Sequence, residues 1–222
     1  ITETMTDKHR RFLGPVVEMR KLHDSAEQRI VHSAEMLDRK SLASVGDTTG
    51  ERLTALLTET KAHTPEELAA NVARIGELLG RFALYVPARF TDDPAEQAKY
   101  WAVRSGIFPA VGGSRPAGTT CLSEDVAFHI EDLPRATAEL QALIARHGYD
   151  ACIYGHALED NYHFIINQSF SPPAEVARYE ALMNDVAELV SAGTTARSKP
   201  SMARGATWRP SSAASRATTP WP

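Results

Sequence analysis

Between Gly155 and His163 the chain reads Gly-His-Ala-Leu-Glu-Asp-Asn-Tyr-His, with one imidazole on each side of a short polar turn. A hairpin folded at that turn brings the rings of His156 and His163 to one edge of a sheet, and neutral imidazoles are good ligands for zinc or a similar divalent ion. On spacing alone, two unrelated turn histidines are the commoner outcome. Two ligands also do not complete a site, because catalytic zinc takes three protein donors and keeps a position open. Glu159 and Asp160 are local candidates for a further donor, and equally the exposed carboxylates of a turn. Asn161 either orients a ligand through its amide or satisfies the turn backbone with its own hydrogen bonds.

Arg104 follows Trp101 and precedes Ser105-Gly106. Its guanidinium can stand beside a backbone that glycine opens to a ligand and grip a carboxylate through paired N–H bonds. An ordinary surface arginine is the alternative. Gly112-Gly113-Ser114-Arg115 lacks the lysine, the following helix and the spacing of a phosphate-binding loop, so no nucleotide site is read there. His63, His129 and His147 have no partner pattern and read as structural or exposed. Cys121 and Cys152 are the only cysteines. They are too few for a disulfide framework or a four-thiolate zinc site, and their apolar neighbours suit buried free thiols in a reducing cytoplasm.

The elements that must hold these residues follow from periodicity. Leu53 to Glu59 alternates as a strand, and Thr64-Pro65-Glu66-Glu67 opens a helix with a capping-box arrangement whose buried stripe is Leu68, Val72, Ile75 and Leu79. Ala83 to Phe90 reads as a strand. Asp92-Asp93-Pro94 starts a short helix, and Ala110 to Gly118 reads as a Gly/Pro-rich loop. Val126, Phe128 and Ile130 alternate as a strand. Pro134 to His147 is an amphipathic helix closed by Gly148. Ala151 to Tyr154 and Tyr162 to Gln168 flank the histidine turn as strands, and Ser171-Pro172-Pro173 begins a last helix with Val176, Tyr179, Met183, Val186 and Val190 inward. Strand–helix–strand written twice predicts an α+β fold, a ferredoxin-like antiparallel sheet with helices packed on one face.

Residues 1–50 show scattered apolar positions without a sustained period and form a poorly defined N-terminal segment. Residues 51–190 form the domain. Residues 191–222, rich in Ser, Thr, Ala, Arg and Pro, form a disordered tail. The chain has 222 residues, 43% apolar content and a net charge of −4, which is ordinary globular material. Mild acidity gives no reason to expect nucleic acid or an anionic membrane surface as partner. No apolar run is long enough to span a bilayer, and no signal pattern opens the chain. Because it begins at Ile1, a fragment of a longer protein is expected.

Three motifs, Y-W-A-V-R-S-G-I-F-P-A-V-G-G (Tyr100 to Gly113), T-T-C-L-S-E-D-V-A-F (Thr119 to Phe128) and Y-G-H-A-L-E-D-N-Y-H-F (Tyr154 to Phe164), carry a resemblance. From about Leu37 to Val190 the chain resembles the C-terminal substrate domain of FAD-linked D-2-hydroxyacid dehydrogenases, of the D-2-hydroxyglutarate and D-lactate type. This is the FAD-linked oxidase C-terminal family of the vanillyl-alcohol-oxidase superfamily. The resemblance implies FAD held mainly by a separate N-terminal domain, an iron–sulfur domain in the full-length relative, and a divalent metal, zinc being the first choice. It makes His156 and His163 metal ligands, Asn161 a polar residue beside them and Arg104 the clamp for a 2-hydroxycarboxylate. Asp160 stands where the family usually has Gly, so a left-handed backbone is expected there.

The family continues past the last helix into a Glu-His-Gly segment, whose Glu is the third metal ligand and whose His is the general base. Ser191 to Pro222 contains neither Glu nor His. Codons can be chosen for Pro200-Ser201-Met202-Ala203 so that a displaced frame spells Glu-His-Gly, and the expectation is a frameshifted tail. The chain alone is then expected to be inactive. The competing expectations are a non-catalytic ferredoxin-like module that binds a metal or a protein, and a degraded product that barely folds.

Overall fold

The structure, a computed structural model, describes residues 14–22, 30–46, 54–84 and 86–194. After helix α1 (14–22) come β1 (Ser33–Leu37), α2 (Arg39–Ser44), β2 (Ala55–Glu59), α3 (Pro65–Leu79), α4 (Pro94–Gly113), β3 (Thr120–Ala127) and α5 (Leu133–Arg146). Then follow β4 (Cys152–His156), a 3-10 turn (Ala157–Glu159), β5 (Asn161–Gln168) and α6 (Pro173–Thr194). The strands form one sheet in the order β2-β1-β4-β5-β3, and every neighbouring pair is antiparallel. The α+β antiparallel architecture expected from the sequence is therefore present.

Alternation along the strands divides the side chains between two faces. Tyr162, Phe164 and Ile166 of β5, Ile153 of β4, Met36 of β1 and Val126 of β3 point to one face, where α5 supplies Leu133, Leu140 and Ile144 and α6 supplies Leu182 and Val186. A second cluster occupies the other face. There Leu37, Cys152, Tyr154 and Ile165 meet Leu42 of α2 and Ile107 and Val111 of α4, so helices cover part of this face as well. A third cluster joins Met19 of α1 and Ile75, Leu78 and Leu79 of α3 to Leu158 of the 3-10 turn. Burying each such large apolar side chain contributes about 1.5–3 kcal/mol.

Local signals fix the helix starts. Thr64 Oγ1 accepts from the Glu67 amide at 3.1 Å, Asp93 Oδ1 from the Ala95 amide at 2.9 Å and Asp38 Oδ1 from the Ser41 amide at 2.7 Å. Each cap contributes about 1 kcal/mol. Gly148, at φ 73°, ends α5 as expected.

Several local expectations are corrected. Residues 83–90 form no strand among those described; Leu84 and Val86 are exposed, and Pro87 denies a ladder its donor. Helix α4 is not short but 20 residues long, and it runs through Pro109 and across Ala110–Gly113, which the sequence reading leaves as loop. Helix α6 continues to Thr194, past the expected start of the tail, while residues 195–222 and their expected disorder lie outside the described residues. β3 begins at Thr120 and ends at Ala127, before Phe128 and Ile130. It is an edge strand, so polar Ser123, Glu124 and Asp125 hide its period. The stretch 33–46, within the segment read as poorly defined, forms β1 and α2, and β1 sits inside the sheet between β2 and β4. Buried on both faces, β1 carries a continuous run, Ala-Glu-Met-Leu, with no alternation to detect.

Candidate functional site

The strand register assembles a polar cluster on the sheet face that α4 overlies. Glu35 of β1 stands opposite His156 of β4, Tyr154 of β4 opposite His163 of β5, and His163 opposite Asp125 of β3. Directly opposite residues of antiparallel strands are contact neighbours. A row of carboxylate, imidazole, imidazole and carboxylate thus crosses four adjacent strands. The imidazole of His156 shares a 2.5 Å hydrogen bond with Glu35 through Nδ1, and Nδ1 of His163 bonds Asp125 in the same way. Ionised carboxylates only accept, so in each ring Nδ1 is the donor and Nε2 keeps its lone pair when the ring is neutral.

The two histidine rings meet edge to face, with centroids 5.5 Å apart at an interplanar angle of 82°. Gly155 permits this convergence. At φ 150°, its missing Cβ would stand 2.7 Å from the Asn161 carbonyl oxygen and 3.0 Å from Tyr162 Cα, so only glycine lets β4 and β5 close on each other here. Across the turn, Asp160 takes up the left-handed backbone expected of it, with φ 61° and ψ 15°.

Arg104 reaches the same cluster from α4. Its Nε donates to Glu35 Oε2 at 2.9 Å, and its guanidinium lies 4.7 Å from the centroid of the Tyr154 ring, within cation–π range. Tyr154 in turn meets the His163 ring at a tilt of 51°, with centroids 5.3 Å apart. Glu35 is buried, with a side chain only 4% exposed, and Arg104 is largely buried at 17%. His156, at 47%, is open to a ligand. Burial raises the phenol of Tyr154 above its ordinary range, with Arg104 pulling the other way, so at neutral pH Tyr154 is a hydrogen-bonding phenol.

The structure thus brings together three of the sequence-predicted site residues, His156, His163 and Arg104. Asn161 opens β5 two positions before His163 and therefore shares its side of the strand. Glu159 and Asp160 lie in and just after the 3-10 turn. Sequence reasoning missed Glu35, Asp125 and the role of Tyr154. A lone acid inside the apolar run Ala34-Glu35-Met36-Leu37 was the available signal for Glu35, while nothing local marked Asp125.

Two imidazoles bonded to one tetrahedral ion at about 2 Å have centroids roughly 5 Å apart, a distance close to the 5.5 Å between these rings. Carboxylates on the other ring nitrogens are the usual support for such ligands. The donor set is nevertheless incomplete: among the described residues no group of three or more His, Cys, Asp or Glu could hold a metal ion. Thiol chemistry is disfavoured. Burial pushes the Cys152 thiol up to about 12 and raises that of Cys121. Gly112 and Gly113 end α4, and Arg115 bonds back to the Gly112 carbonyl at 2.6 Å, a helix C-terminus that repels rather than attracts phosphate. His147 binds Asp185 at 2.8 Å and ties α5 to α6. No helix among the described residues is long and apolar enough to cross a membrane.

Residues 19–194 match the family model described as FAD linked oxidases, C-terminal domain, and the chain belongs to that family. Among solved structures it is similar to the 4-ethylphenol oxidase from Gulosibacter chungangensis in its isoeugenol complex. The identity is 12% and the TM-score 0.47, over 82% of this chain and 40% of that one, so this chain spans well under half of that protein's length. No curated protein matches it.

Proposed function

We propose that this chain is the substrate-binding part of an FAD-dependent D-2-hydroxyacid dehydrogenase, in which hydride passes from the hydroxyacid Cα to flavin. The observation that carries this reading is the convergence of His156, His163 and Arg104 on one sheet face. In it, Arg104 binds the carboxylate of a small 2-hydroxycarboxylate, because Glu35 takes only Nε and, among the described residues, the terminal guanidinium nitrogens carry no hydrogen bond. His156 and His163 present Nε2 toward the substrate hydroxyl and would be two ligands of a divalent ion, most simply zinc, with Asn161 beside them. Such an ion, when bound, lowers the pKa of the hydroxyl it touches.

A third donor and a general base would have to come from outside this cluster, and flavin from another domain. The chain alone is therefore expected not to turn over. The unpaired thiols Cys121 and Cys152 suit a cytoplasmic setting.

The test supplies a flavin-binding domain and assays dye reduction with D-2-hydroxyglutarate and D-lactate. In parallel, calorimetry measures binding of oxalate, a stable hydroxyacid mimic, to the zinc-loaded chain. Turnover of either acid, with oxalate binding lost in Arg104→Met, supports the reading. Silence with both acids together with no oxalate binding overturns it.

A further inference from the structure

We propose that Glu35 is the positioning residue of this site: one buried carboxylate orients His156 and Arg104 together, so that Nε2 of the first and the terminal nitrogens of the second face the same ligand. This deepens the reading of the cluster as a hydroxycarboxylate site and rests on it. Glu35 occupies β1 between buried Ala34 and Met36, where an apolar side chain would pack without the penalty of a buried charge. Each of its oxygens has a separate task. Oε1 bonds His156 Nδ1 at 2.5 Å, and Oε2 accepts from Arg104 Nε at 2.9 Å.

The manner of the arginine contact is informative. An ion pair that serves only the fold is best made through two parallel bonds from the guanidinium fork to both oxygens. Here the carboxylate spends its second oxygen on a different element and touches the guanidinium by Nε alone, which turns the fork outward. The same logic holds for the histidine, whose Nδ1 is occupied and whose Nε2 lone pair is thereby fixed on the far side of the ring. The Arg104 contact with the Tyr154 ring, at 4.7 Å, holds the plane of the guanidinium from a second direction. Asp125 supports His163 similarly, but it is a mostly exposed side chain and serves one partner. Glu35 hydrogen-bonds both His156 of β4 and Arg104 of α4, and so couples the hydroxyl-binding and carboxylate-binding halves of the site.

The test is a long-range nitrogen–proton spectrum of the imidazole and guanidinium groups in the full chain, at a pH where His156 is neutral. The wild type is expected to carry the His156 proton on Nδ1 and to protect Arg104 Nε–H from exchange. In Glu35→Gln the backbone spectrum is expected to persist while Arg104 loses protection and His156 shows mixed tautomers. Calorimetric affinity for zinc alone is expected to fall by about tenfold or more. A wild-type His156 protonated on Nε2 overturns the proposal without any variant, as does a Glu35→Gln chain with unchanged tautomer and zinc affinity. A wild-type chain with the Nδ1 tautomer that takes up no oxalate and, joined by a flavin domain, turns over neither acid upholds the orienting role of Glu35 and overturns the hydroxycarboxylate reading instead.

Discussion

The missing side chain of Gly155 and the carbonyl of Asn161 are fitted to each other: a Cβ at Gly155 would stand 2.7 Å from that oxygen. The close approach lies between the two histidines, at the point where the β4–β5 ladder gives way to the 3-10 turn. Gly155→Ala should therefore separate the strands at this point. Its cost should be about 2 kcal/mol or more, from backbone displacement and a φ that alanine resists. Urea melts of the full chain measure the loss, and zinc titration should report a weakened histidine pair. An alanine variant as stable as wild type would mean that the two strands have slack to yield.

Arg104 and Glu35 form a largely buried ion pair, with side chains 17% and 4% exposed. Removing one partner leaves the other as an uncompensated buried charge, a loss of about 3 kcal/mol in such settings. Arg104→Met and Glu35→Gln should each destabilise the chain, and the double variant should cost clearly less than the sum of the two. A double-mutant cycle in denaturant checks this, strict additivity being the contrary result.

Burial holds the Asp38 carboxyl above its ordinary range, against weaker lowering by its bonds to Ser41 and Ile153 and by Lys40. Folding therefore favours the protonated acid. The stability that Asp38 contributes is greatest below its unfolded pKa and is lost as pH rises through the raised folded value, so at neutral pH its charge is a net cost. Asp38→Asn keeps an equally good helix cap for α2 and removes the charge. The variant should be more stable than wild type near pH 7, with the advantage vanishing near pH 3. Thermal melts across that range would show the reverse trend if the cap needed its charge.

With its thiol pushed up to about 12 by burial, Cys152 should be inert to alkylation in the native chain at pH 8 and react fully in denaturant. Cys121, partly exposed and less strongly shifted, should react at an intermediate rate. Mass spectrometry after iodoacetamide treatment distinguishes the two. Rapid native labelling of Cys152 would reveal local opening of β4 beside the site.

Much of this architecture was legible from local chemistry. The caps at Thr64 and Asp93, the apolar stripe of α5 and the Gly148 stop each act within a few residues, whereas the left-handed Asp160 was expected only because the family usually has Gly there. The elements that escaped were those whose signal is not local. β1 is buried on both sides and shows no alternation, β3 is a polar edge strand, and α4 continues through Pro109 because Ile107 and Val111 are anchored on the sheet.

The site divides along the same line. Sequence by itself determined that two imidazoles flank a tight turn and that an arginine stands between Trp101 and Ser105-Gly106, because residue type and short spacing are properties of the chain. Only the tertiary structure decided that β1 lies beside β4 and β3 beside β5, since strand order depends on packing between segments far apart in sequence. That order placed Glu35 under His156 and Arg104, and Asp125 against His163, which turned three separate side chains into one cluster held by hydrogen bonds and ring contacts.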